Sequence, residues 1–168
     1  MGVYHVTPIH IRRAVPNDWP AIWHIFSAVV AAGDTYTYAP DTSEAEARRL
    51  WLGDGFITCV AEREGEIVGT YLVKPNQPGL GAHVANAGYM VRPDAFGGGI
   101  GAALCEHSLA EARAAGYRAM QFNAVVSTNT RAVALWERFG FRIIGTVPEG
   151  FRHAQRGYVD LLIMYRKL

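Results

Sequence analysis

The 168-residue chain carries little charge, and what it carries is balanced. Sixteen Lys and Arg stand against 15 Asp and Glu, and charged residues make up 18% of the chain. That balance gives no electrostatic pull toward nucleic acid or an anionic membrane surface, so neither is an expected partner. Cysteine is scarce: only Cys59 and Cys105 occur. They are too few for a disulfide framework and lack metal-ligand spacing, so no metal is expected. No apolar run approaches the ~18 residues that cross a bilayer. The opening segment MGVYHVTPIH lacks a signal peptide's apolar stretch, and Val6 stands where a myristoylation pattern needs Ser or Thr. The expectation is a soluble, reduced, cytoplasmic protein. With hydrophobic residues at 50%, the chain can bury a core, and its length suits one domain over residues 1–168.

Glycine is what the sequence has in quantity, 18 in all, and its placement punctuates the elements. A short strand at 10–15 ends at Pro16. Asn17 or Asp18 then caps a helix with the apolar stripe Ile22, Phe26, Val29 and Val30, closed by Gly33. Ser43 and Glu46 form a capping box for a second helix. Strands follow at 57–61, 67–73 and 83–91. A helix starting near Ile100 stops at Gly116, and a strand covers 119–126. Thr128 or Asn129 caps another helix, which ends at Gly140, and strands at 141–147 and 158–165 complete the chain. The order β-α-α-β-β-β-α-β-α-β-β predicts an α/β protein with a mixed central sheet of about seven strands and helices on both faces.

Gly97-Gly98-Gly99-Ile100-Gly101-Ala102 lies between a strand and a helix. Such a turn aims several backbone N–H groups at one spot, at the positive end of a helix dipole, and suits phosphate or diphosphate. A Walker loop is excluded because Ala102-Ala103 follow Gly101 where Lys-Ser/Thr is needed. A Rossmann fingerprint fits nominally, but the acidic residue due about 20 positions on is missing.

Val91-Arg92-Pro93, the glycine turn, the Asn129-x-Arg131-Ala132-x-x-Leu135-Trp136 block and Gly140-Phe141 together resemble the GNAT superfamily of acetyl-CoA-dependent N-acetyltransferases. The resemblance spans roughly residues 10–168. It implies a sheet splayed between the strands at 83–91 and 119–126, with the thioester in the gap. It also implies that Phe96, Gly97, Gly98, Gly99, Ile100, Gly101 and Ala102 hold the CoA diphosphate, and that the strand ending at Met90 and Val91 holds the pantetheine arm. Asn129, Arg131 and Trp136 belong to the same expected cofactor site. Two positions depart from the pattern. Phe96 stands where relatives carry Gln or Arg, and Trp136 stands where many carry a Tyr that reprotonates the leaving thiolate, a task indole cannot perform.

Asn86 and Asn123 sit in strands that otherwise read apolar, one on each side of the expected gap. Amides are costly to bury without partners, so the pair marks a polar pocket for the acceptor and the reacting groups. Their contexts HVANAG and FNAVVSTN resemble the fungal acetyltransferases acting on proline analogues such as L-azetidine-2-carboxylate, and more loosely the phosphinothricin-type enzymes. A backbone N–H of Met90 or Val91 is the expected oxyanion donor. His83 is the candidate base, and Asp160 a second candidate that reads better as a structural acceptor. Tyr36 and Tyr38, in the loop between the first two helices, are expected to touch the acceptor. Arg152, His153 and Arg156 form a basic loop before the last strand. The expected reaction is transfer of acetyl from acetyl-CoA to the amine of a small amino-acid-like molecule by direct attack, in a monomer or homodimer. A non-catalytic acyl-CoA-binding module, with Trp136 marking lost chemistry, is the alternative; a nucleotide-binding domain is a weaker one.

Overall fold

The structure, a computed structural model, describes residues 7–168. Its strands are β1 (His10–Arg13), β2 (Ile57–Arg63), β3 (Glu66–Pro75), β4 (Val84–Val91), β5 (Ala119–Val126), β6 (Arg142–His153) and β7 (Gly157–Lys167). The helices are α1 (Trp19–Ala31), α2 (Glu44–Trp51), α3 (Ile100–Ala114) and α4 (Thr130–Arg138). All seven strands join one sheet in the order β1-β2-β3-β4-β5-β7-β6. Every pair is antiparallel except β4–β5.

Side-chain alternation divides the core between the two faces of the sheet. Val60, Leu72 and Met90 pack with Ile22, Phe26 and Trp51 of α1 and α2. Cys59, Tyr71, Val73, Ala85, Met120 and Phe122 pack on the other face with α3 and α4, through Leu104, Leu109 and Trp136. A buried polar chain fixes α2 to the sheet. The Trp51 indole N–H donates to Thr70 Oγ1 at 3.0 Å, and the Thr70 hydroxyl donates to the Cys59 carbonyl at 2.8 Å. This chain sets the position of the Trp51 ring.

Local readings differ from the structure at three places. Asp18 precedes α1, but its side chain makes no cap. It accepts the Val15 N–H and both arms of the Arg12 guanidinium, a charge-assisted fork that outcompetes a neutral cap. β4 starts at Val84, which leaves His83 in the preceding turn. β6 runs through Pro148-Glu149-Gly150 to His153, because a bulge between Val147 and Phe151 absorbs the turn-like residues. β6 is the edge strand, where a proline's missing N–H costs no ladder bond. The expected basic loop is therefore a hairpin end, with His153 buried and its Nδ1 accepting the Gln155 N–H. Of the two cap candidates for α4, Asn129 is the one used: its Oδ1 accepts the Ala132 N–H at 3.2 Å.

Candidate active site

β4 and β5 pair in parallel only over Val84–Asn86 and Ala119–Gln121; beyond that their ladder stops. Two features force the separation. Asn123 and Ala124 bulge from β5, opposed by a single β7 residue between Met164 and Leu162. The Asn86 side-chain amide donates to the Gln121 carbonyl at 3.0 Å, closing the last rung. The gap therefore opens toward the carboxyl ends of two parallel strands, where sheets of this kind hold ligands.

The β3–β4 register shows which β4 amides face the gap. Arg92 N–H donates to Val68 C=O, and Asn76 N–H donates to Val84 C=O, both at 2.8 Å. Antiparallel alternation then turns the even-numbered β4 residues toward β3 and the odd-numbered ones toward the gap. Met90, expected as an oxyanion donor, is thereby corrected: its N–H is committed to Thr70, and its side chain lies under α1 and α2. The N–H groups of Val91 and Tyr89 face the gap instead.

At the far end, Gly97, Gly98 and Gly99 take φ values of +97°, +62° and +76°. Three left-handed residues in series leave the first N–H groups of α3 unpartnered, and Gly99 caps that helix without a side chain. A Cβ on Gly97 or Gly99 would meet nothing within 4 Å, so no neighbour in the protein demands glycine there. Backbone conformation and open space do, as a diphosphate cradle requires. Gly101 has a different reason: its Cβ would press on Leu135 of α4 at 3.3 Å. The Ile100 side chain is in the core, leaving its backbone and the start of the helix at Ala102 for the ligand. Phe96 is exposed and lies under the Arg131 guanidinium, 5.5 Å from the ring centroid.

The gap opens into a cleft of about 500 Å³, whose wall reaches Phe96 beside the glycine turn. Phe96, Asn129, Arg131 and Trp136 line it, the residues expected on the cofactor side, and so do Tyr36, Tyr38, Asn86 and Asn123, expected on the acceptor side. Trp136 is buried against Tyr89 and Phe122, with centroids 4.8 and 5.0 Å away. Tyr36 stacks on Tyr38 and donates its hydroxyl to the Tyr89 carbonyl at 2.7 Å, so loop and β4 are tied at the gap. Gly88 makes room for this arrangement, since its Cβ would stand 3.2 Å from the Tyr36 oxygen and 3.3 Å from Trp51. Burial pushes the Tyr36 and Tyr89 phenols well above their usual range, so both are poor acids.

His83 is exposed, precedes the closed end of the β4–β5 pair and does not line the cleft. Asp160 also lies elsewhere and accepts the Glu149 N–H. Cys59 and Cys105 are fully buried outside the cleft. Burial raises both thiols, Cys105 to about 12.

Three site residues escaped the sequence. Asn76 accepts the Asn123 amide at 2.6 Å, and the Gln121 amide donates to Asn123 Oδ1 at 2.9 Å, a chain across the acceptor side. Lys74 lines the cleft beside Asn86, its cross-strand partner. Alternation along β3 places Lys74 on the side of Leu72, but nothing in KPNQPG itself signals a site.

The acetyltransferase (GNAT) family profile matches residues 19–141. A GCN5-related N-acetyltransferase from Kribbella flavida superposes with a TM-score of 0.91 at 48% identity, covering 95% of this chain and 98% of that one. The phosphinothricin acetyltransferase of Sinorhizobium meliloti, solved in complex with AcCoA, gives 0.85 at 25% identity, with 95% and 88% covered. The N-acetyltransferase aca1 of Schizosaccharomyces pombe is 36% identical over 98 residues, 58% of this chain. That match spans 47% of the relative, so this chain corresponds to about half its length. The splayed pair, the glycine turn and these likenesses lead to one assignment: the chain belongs to the GNAT acetyltransferase family.

Proposed function

We propose that the protein acetylates the amine of a small amino-acid-like molecule by direct attack within a ternary complex. The observation that carries this reading is a cleft at the β4–β5 gap whose wall runs from the amides of Asn86 and Asn123 to Phe96, the residue that opens the left-handed glycine turn. Acetyl-CoA supplies an activated acyl thioester. The backbone N–H groups of residues 97–101 hold its diphosphate, with Arg131 and the cap of α4 alongside, and the gap-facing amides of β4 hold the pantetheine arm. The Val91 or Tyr89 N–H supplies the donor for charge developing on the carbonyl oxygen.

Support for an amino-acid-like acceptor comes from charge. The Lys74 ammonium has no carboxylate within ion-pair distance among the described residues and rests 5.1 Å from the centroid of the Phe56 ring. It offers a carboxylate partner beside Asn86. Asp34, at the mouth of the cleft, suits an incoming ammonium. Direct attack is supported by the burial of both thiols away from the cleft. No histidine lines the cleft among the described residues, so in this reading the amine arrives neutral from solvent, gives up its proton to water once the C–N bond has formed, and CoA leaves as the thiolate when the C–S bond breaks.

Thiol release from acetyl-CoA over a panel of amino acids, cyclic imino acids and polyamines tests this reading. Turnover with the first two classes is expected. Saturable acetyl-CoA binding with no turnover on any amine would instead favour the acyl-CoA-binding module.

A further inference from the structure

We infer that Arg63, from the end of β2, is a ligand of the CoA diphosphate. This rests on the reading of the glycine turn as the CoA cradle. A Cβ on Gly98 would stand 2.7 Å from Arg63 Nη1, so the guanidinium lies directly on the turn. Three other arginines in or beside these strands have carboxylate partners: Arg12 pairs with Asp18 and Glu62, Arg13 with Glu111, and Arg92 with Glu66 and Asp94. Half-buried Arg63 has no ion-pair or hydrogen-bond partner among the described residues.

A lone cation at the N-terminus of a helix faces the positive end of the dipole and the unpartnered N–H groups. That placement is unfavourable by itself and becomes favourable when an anion lies between. Guanidinium offers phosphate a planar fork, which a lysine would not. The turn's own residues carry no cation, since Phe96 opens it; Arg92 is taken up by two carboxylates, and Arg131 of α4 rests on the Phe96 ring. Arg63 supplies that charge from a distant part of the chain, and glycine at 98 leaves it the space.

The test compares dissociation constants of CoA, dephospho-CoA and pantetheine for the wild type, Arg63→Ala and Arg63→Lys, followed by calorimetry. Arg63→Ala is expected to weaken CoA and dephospho-CoA about 3- to 10-fold and leave pantetheine unchanged, with Arg63→Lys between. Unchanged CoA affinity overturns the assignment. So does a loss confined to CoA, which would place Arg63 on the 3′-phosphate, or an equal loss with pantetheine, which would indicate a distorted turn. Should the wild type itself bind pantetheine as tightly as CoA, the cradle reading fails, and Arg63 with it.

Discussion

Asn123 makes two bonds at once, accepting from Gln121 and donating to Asn76, and still lines the acceptor side of the cleft. Asn123→Ala is therefore expected to lower kcat/KM for the acceptor about tenfold, on the scale of a lost site hydrogen bond, with acetyl-CoA affinity unchanged. Wild-type rates would remove it from the site. With no histidine lining the cleft among the described residues, the pH profile should follow the acceptor. The break in kcat/KM is expected to move with the acceptor amine's own pKa, and His83→Ala should leave the profile untouched. A break fixed across acceptors, or lost in His83→Ala, would give a protein group the proton. The sequence identified Asn86 and Asn123 because amides are out of place in apolar strands. It could not identify Asn76 or Lys74, which are ordinary residues in a polar loop and strand end until the register brings them to the gap. It also could not choose between Met90 and Val91, since that choice depends on which neighbour each amide faces.

Among the elements, the glycine turn into α3 does two jobs, and both ask for glycine. An Asp at position 99 would meet no neighbour, but at φ +76° it would hold a strained backbone. The same carboxylate would face the diphosphate. Gly99→Asp is thus expected to lower the melting temperature slightly, by strain on the order of 1 kcal/mol, while abolishing acetyl-CoA binding, measured by calorimetry beside a thermal melt. Retained affinity would contradict the cradle. Element order was fully legible, since glycine stops and apolar periods mark each helix and strand. The expected gap also appears, but its cause, a bulge at Asn123–Ala124, left no mark in the sequence. The β6–β7 hairpin was read short because Pro148 and Gly150 look like a turn when the edge position of the strand is unknown.

For the molecule as a whole, a long-range ion network ties the first strand to the rest. Arg12 of β1 bridges Asp18, which is 8% exposed, and Glu62 of β2. The Arg12 guanidinium holds both carboxyls below their usual range. Carboxyls depressed in the folded state contribute stability that is fully present above about pH 4 and lost as pH falls through their folded values. Asp18→Asn should flatten the acid side of a urea-midpoint profile taken from pH 6 to 2; an unchanged slope would show that the network contributes nothing. Such pairing is invisible in a sequence, where Arg12 and Glu62 stand 50 residues apart.

The central claim concerns where acetyl-CoA lies, and a crystal structure of the complex measures that directly. The account predicts diphosphate on the main-chain amides of residues 97–101 and the thioester carbonyl between Val91 or Tyr89 and β5. A tail lying outside the β4–β5 gap, or a diphosphate bound elsewhere, would contradict it.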